Sequence, residues 1–173
     1  MGWRDRKRYA LRLAMRKLDR SGGYETLITR DDGVVYVMRG VGDVGALPHD
    51  LAHHVVETVL ALDDGLWGSI ARGAVLPTMH FRSGRRSPKA ALRSRAVLQA
   101  HAASLDDAEA CVELMRACAE PCLPIPAAMR RATPSAQTRA EPSQIAALRK
   151  AHAETLARWQ ATPAGGALEL SWP

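Results

Sequence analysis

The sequence predicts an α+β fold in which a small antiparallel sheet packs against three or four helices. Three observations predict it. Near the N-terminus, Tyr9, Leu11, Leu13 and Met15 alternate with Ala10, Arg12, Ala14 and Arg16, the two-residue period of a strand. Two β-rich runs, Tyr24 to Thr29 and Val34 to Arg39, then flank Asp31-Asp32-Gly33, a hairpin signal. Later stretches, 48 to 62, 88 to 119 and 144 to 160, carry apolar residues at helical spacing. The sheet is expected over 8 to 39. After Gly165-Gly166, Leu168, Leu170 and Trp172 alternate again, so 167 to 172 is expected to return to the same sheet.

Each helix has its own punctuation. Pro48 suits the first turn of a helix whose residues Leu51 to Leu62 are apolar enough to be mostly buried, and Asp63-Asp64-Gly65 ends it. Leu66 to Val75 reads as a short helix or tight turn in which Gly68 and Gly73 permit close backbone approach. Ser87 caps and Pro88 opens the next helix, and Ser104 with Asp107 gives a second capping signal. Its apolar residues Val112, Leu114, Met115 and Cys118 run to about Ala119. Residues 121 to 142 hold five prolines without periodicity and read as a loop or linker within a single domain spanning 1 to 173. Ser143 then caps a last helix with Ile145, Leu148, Leu156 and Trp159 on one face. Trp67, Trp159 and Trp172 are expected as core or edge anchors.

Composition narrows the classes of function. A chain of 173 residues, 47% apolar and 24% charged, buries a real core, which argues against wholesale disorder and against a multidomain machine. No apolar run approaches the ~18 to 20 residues that cross a bilayer, and the charged start Met1 to Arg8 has no apolar signal core behind it; a soluble, cytoplasmic protein is expected. Cys111, Cys118 and Cys122 are odd in number and lack Cys-x-x-Cys spacing, so small apolar filler is the expected role. The net charge of +6 is uneven. Residues 1 to 20 hold eight Lys or Arg against two Asp, and 81 to 100 hold six against none, whereas 21 to 80 hold three against eight acids. The second basic block, Arg82, Arg85, Arg86, Lys89, Arg93 and Arg95, is able to attract phosphates, which makes a noncatalytic module binding nucleic acid or an acidic protein one functional reading. Phe81 alone offers base stacking nearby, which disfavours single-strand recognition.

The sharper reading lies in Leu47-Pro48-His49-Asp50-Leu51-Ala52-His53. On a helix His49, His53, Glu57 and Asp50 share one quadrant, with Leu51, Val55, Val59 and Leu62 on the opposite arc. Two histidines four residues apart present ring nitrogens to one divalent ion, zinc being the expected metal. Glu57 lies eight residues beyond His49, about 12 Å along the axis, too far to share that ion on a straight helix but well placed to orient His53. His80, following a turn, is the preferred third ligand, ahead of Asp63, Asp64 and His54. The remaining motifs are weaker: Ser69 lacks the Gly-x-Ser-x-Gly elbow, and the glycines of 40 to 45 lack both a P-loop lysine and a dinucleotide fingerprint.

The spacing His49-Asp50-Leu51-Ala52-His53 resembles the His-Glu-x-x-His helix of zincin metalloproteases. That resemblance implies a metal-dependent hydrolase with Asp50 as general base and Glu57 behind His53. Aspartate is one methylene shorter than the family's glutamate, and Val59 stands where extended zincin patterns place a third histidine. Residues 47 to 76, including Gly65-Leu66-Trp67-Gly68-Ser69-Ile70-Ala71-Arg72-Gly73-Ala74, also resemble a segment shared by small uncharacterised bacterial proteins, a likeness that implies no activity.

Overall fold

The computed structural model describes residues 9–18, 22–43, 45–119 and 141–173. It has an α+β architecture. Strands β1 (Leu11–Lys17), β2 (Gly23–Arg30), β3 (Val35–Val41), β4 (Met79–Ser83) and β5 (Ala167–Trp172) form one antiparallel sheet in the order β4-β3-β2-β1-β5. Among the described residues there are five helices: α1 (His49–Val59), α2 (Leu66–Ala71), α3 (Ala90–Ala100), α4 (Ala102–Ala119) and α5 (Pro142–Ala161).

Register follows from the alternation. Leu13 sits opposite Ile28 on one side and Leu170 on the other, and Ile28 opposite Tyr36. Leu13, Ile28 and Tyr36 are all buried, so slipping one strand by a residue would turn its apolar set to solvent. The buried side chains form two clusters. One gathers Met15, Tyr24 and Leu168 of the sheet with α1, α4 and α5; the other gathers Leu11, Leu13, Ile28 and Tyr36 around Trp67 and Ile70 of α2. Trp67, Trp159 and Trp172 are buried anchors, and Cys111 and Cys118 are buried and fill the core as expected. Cys122 lies outside the described residues.

Several boundaries differ from the sequence expectation, each for a local reason. Strand β4 was not expected: it is an edge strand in which only Met79 is buried, so it carries no alternation to read. Helix α3 begins at Ala90 rather than Pro88, because Ser87 makes a turn, its hydroxyl accepting the Lys89 N–H at 3.2 Å and its carbonyl the Ala90 N–H at 2.9 Å. The helical run breaks at His101, whose Nδ1 lies 2.9 Å from the buried Ser69 hydroxyl of α2. Ser104 is therefore inside α4 and caps nothing; its hydroxyl donates to Asp64 at 2.7 Å. Helix α5 is capped by Glu141 rather than Ser143, in a capping box with Gln144 and with Pro142 in the first turn. The rest of the proline-rich stretch, 121 to 140, lies outside the described residues. No helix of the described residues is long and apolar enough to cross a membrane.

Gly68 marks the tightest of these junctions. A Cβ there would fall inside the contact distance of the Asp63 carbonyl, a backbone neighbour with no side-chain freedom to yield. We expect Gly68→Ala to destabilise the fold by ~1–3 kcal/mol. At Gly42 the nearest atom to an added Cβ is 3.8 Å away, and Gly42→Ala is expected to change stability by less than ~1 kcal/mol. Urea midpoints of the two variants check the contrast, and equal midpoints would contradict the packing described.

Candidate metal centre

Helix α1 buries Leu51, Ala52, Val55 and Val56 in the core, which fixes the direction of its polar edge. That edge carries His49 and His53 one turn apart, their rings edge to face with centroids 4.7 Å apart. Helix α4 packs across α1 and delivers Glu109 to the pair. Glu109 Oε2 lies 3.0 Å from His53 Nε2 and 3.3 Å from His49 Nε2. One ligand atom from each of the three residues lies within 4.8 Å of the other two, so the group is close enough to hold a metal ion. His53 is buried, His49 half-buried and Glu109 exposed, so the cluster is closed from inside and open from outside. Of the three, His49 also lines a cavity of about 620 Å³, together with Arg116, His152 and Asp43.

Behind His53 the structure is anchored by Glu57. Its carboxylate is 1% exposed and accepts the backbone N–H of Trp67 at 2.9 Å and of Gly68 at 3.3 Å, so it caps the start of α2. The other carboxylate oxygen lies 3.5 Å from His53 Nδ1, an ion-pair contact too poorly aligned for a hydrogen bond. Glycine at 65 makes room for this group, because a Cβ there would lie 2.7 Å from Glu57 Cδ. The Trp67 indole N–H donates to the Asp50 carbonyl at 3.1 Å, so α2 grips α1 at both ends of its polar edge.

The electrostatics follow from burial and from neighbours. Burial pushes the Glu57 carboxyl above its ordinary range, against the opposing pull of His53 and the two N–H groups. Burial alone would lower His53, but the Glu57 carboxylate, and then Glu109, outweigh it and hold the imidazole above its ordinary value. His49 is lowered, first by burial and then by the His53 charge beside it. Arg116 contacts His49 Nδ1 at 3.2 Å. A guanidinium only donates, so Nδ1 is the acceptor and the ring proton sits on Nε2, facing Glu109.

The sequence-predicted residues are only partly brought together. His49 and His53 converge as expected; Glu57 stands behind His53, but as a 3.5 Å ion-pair contact and not as the hydrogen bond its spacing suggested. Asp50 is not among the converging donors: it is buried, lies against Tyr24, and its Oδ2 has no hydrogen-bond partner among the described residues. Burial raises its carboxyl. His80 is not the third ligand of this group. It projects from the exposed edge strand β4, where it pairs in register with Val37, and Glu109 takes the third place. The weaker candidates are engaged elsewhere: His54 with the Ser171 carbonyl, Asp63 with Arg72, and Asp64 with Ser104. Sequence reasoning missed Glu109 because it lies 56 residues from His53 and only the packing of α4 on α1 joins them. One signal was present: Glu109 and Arg116 are seven residues apart, on the same stripe of α4. The basic residues Arg82, Arg85, Arg86, Lys89, Arg93 and Arg95 are all exposed, along β4, the following turn and α3.

Fold and site together define an α+β protein carrying a two-histidine, one-glutamate cluster of metal-binding dimensions. No family model, curated protein or solved structure matches the chain, and its chemistry is read from this geometry.

Glu57→Ala leaves two buried N–H donors of α2 without an acceptor, at ~1–3 kcal/mol each. We expect it to destabilise by ~2–6 kcal/mol in urea unfolding. Glu57→Gln keeps an acceptor oxygen and should cost less than half of that. Equal stability of the alanine variant and the wild type would refute the capping role.

Proposed function

We propose that this protein binds a divalent cation, zinc by the chemistry of its donors, through His49, His53 and Glu109. The observation that carries the reading is the convergence of three donor atoms from α1 and α4 within 4.8 Å. Two imidazoles and a carboxylate form a donor set common to zinc, with further coordination positions left for water or a ligand. The arrangement behind the donors supports the same reading: a buried carboxylate facing the far nitrogen of a histidine is the usual way to orient a metal-binding imidazole. The hydrolase expectation needs a base next to a metal-bound water. Asp50, packed against Tyr24 outside the donor group, lends it no support, so the reading is cation binding rather than peptide or amide hydrolysis.

Arg116 sets the terms of that binding. To ligate through Nε2, His49 must carry its proton on Nδ1, where Arg116 now donates. The ion and the guanidinium therefore compete for the same ring and repel each other as like charges.

A second reading, attraction of nucleic acid or an acidic protein to the Arg82–Arg95 face, is supported by the exposure of all six of its basic side chains. It requires affinity that falls steeply with salt and is indifferent to His49 and His53.

Zinc titration of tag-free protein by calorimetry tests the proposal. We expect one ion per chain. Replacing both histidines, His49→Ala/His53→Ala, should weaken binding by more than the roughly 10- to 100-fold typical of losing an outer-shell partner, and Glu57→Gln should fall within that range. Arg116→Ala should tighten binding by about tenfold, or ~1.4 kcal/mol, and His80→Ala should leave it unchanged. Affinity should also fall as pH drops, because protons compete for His53. No saturable binding, or binding unaltered in the double histidine variant, would reject the assignment.

A further inference from the structure

A second cavity, of about 320 Å³, opens between the β2–β3 turn and the start of α3. Val41 borders the cavity beside the histidines, whereas Val34 and Tyr36 border this one. Five residue steps of β3, from Tyr36 to Val41, or ~16 Å at ~3.3 Å per residue, therefore separate the two. The wall of the second cavity carries Arg30, Arg86, Lys89 and Arg93, together with Ser87 and one carboxylate, Asp32. That carboxylate is already engaged, by an ion pair with Arg30 and by the Val34 N–H at 3.1 Å. Among the described residues Arg86, Lys89 and Arg93 form no salt bridge.

Three of these cations are held in position. The Arg30 side chain is 8% exposed, and its guanidinium lies 5.8 Å from the centroid of the Tyr36 ring. Arg86 lies over Phe81, 4.7 Å from its ring centroid. Arg93 occupies space that exists because residue 73 is glycine: a Cβ there would lie 2.8 Å from Arg93 Cδ. Gathering like charges around one concave wall is unfavourable by itself, and such a wall focuses its field on an incoming anion. Guanidinium forks match pairs of phosphate oxygens, and rigid forks lose little freedom on binding.

We propose that this cavity binds a phosphoryl group, carried either by a small phosphorylated molecule or by nucleic acid, chiefly through Arg86, Lys89 and Arg93, with the Asp32-paired Arg30 in the same wall. The assignment is independent of the metal centre. It replaces a diffuse basic face with a shaped pocket and adds Arg30, which the sequence did not suggest. Arg82, Arg85 and Arg95 do not line it.

Calorimetric titration of the full chain with pyrophosphate tests it. Saturable binding at one site is expected, weakened about tenfold or more in Arg86→Ala/Arg93→Ala, whose exposed side chains can be removed without opening the core. Arg86→Lys/Arg93→Lys keeps the charge but loses the forks, and should fall between the wild type and the alanine variant. His49→Ala should bind pyrophosphate as the wild type does, which separates this site from phosphate held by a cation at the histidines. A short duplex oligonucleotide added in competition distinguishes the sources: displacement of pyrophosphate assigns the phosphoryl group to nucleic acid, and no displacement assigns it to a small molecule. Absence of saturable binding, binding unchanged in Arg86→Ala/Arg93→Ala, or binding lost in His49→Ala would overturn the proposal.

Discussion

A carboxylate as buried as that of Glu57, at 1% exposure, is costly unless charge or hydrogen bonds compensate it. Here the compensation comes from two directions. The first turn of α2 beyond Gly65 supplies the N–H groups of Trp67 and Gly68, and α1 itself supplies the His53 ring one turn earlier. Much of the site depends on this arrangement. It joins α1 to α2, places Trp67 in the core cluster under the sheet, and leaves Nε2 of His53 as the nitrogen that faces outward to Glu109. Glycine at 65 is part of the same constraint, since any side chain there would displace the carboxylate.

From that anchor outward the polar groups form a graded series. Glu57 and His53 are sealed in, Glu109 and Arg116 reach solvent, and His49 stands at the boundary, lining a cavity with Arg116. Enclosed inner groups and solvent-reaching outer ones are what the proposed cation site would need to exchange its ion. Arg116 gives it a built-in competitor, a cation tethered to α4 that hydrogen-bonds the same histidine an ion would use. Asp50 belongs to a different arrangement. Its buried side chain lies with Tyr24 of β2, and its backbone carbonyl takes the Trp67 indole N–H.

Much of this was legible in the sequence where one local rule governs the outcome. The alternation of Leu11, Leu13 and Met15 fixed β1 despite its helix-favouring residue types, because burial on one face outweighs intrinsic propensity. The tail's alternation likewise placed Trp172 opposite Leu11 in the sheet. The four-residue spacing of His49 and His53 and the orienting place of Glu57 were legible because they lie on one helix. What was not legible depends on contacts between distant segments. Residues 79 to 83 show no period because an edge strand with one buried side chain needs none, and the expectation that the preceding turn brings His80 back over α1 gives way to a place on an edge strand of the sheet. Glu109 and Arg30 were missed for the same reason: neither is marked by its neighbours in sequence, and each acquires its setting from an element packed against it.

X-ray absorption at the zinc edge addresses the central claim most directly, because it reads the coordination shell itself. In zinc-loaded protein the account requires the scattering signature of two imidazole rings together with a carboxylate oxygen, at ligand distances of about 2.0 to 2.2 Å. A shell of oxygens alone, or one with a single imidazole, would mean that His49 and His53 do not share an ion, and the assignment of this site would fall.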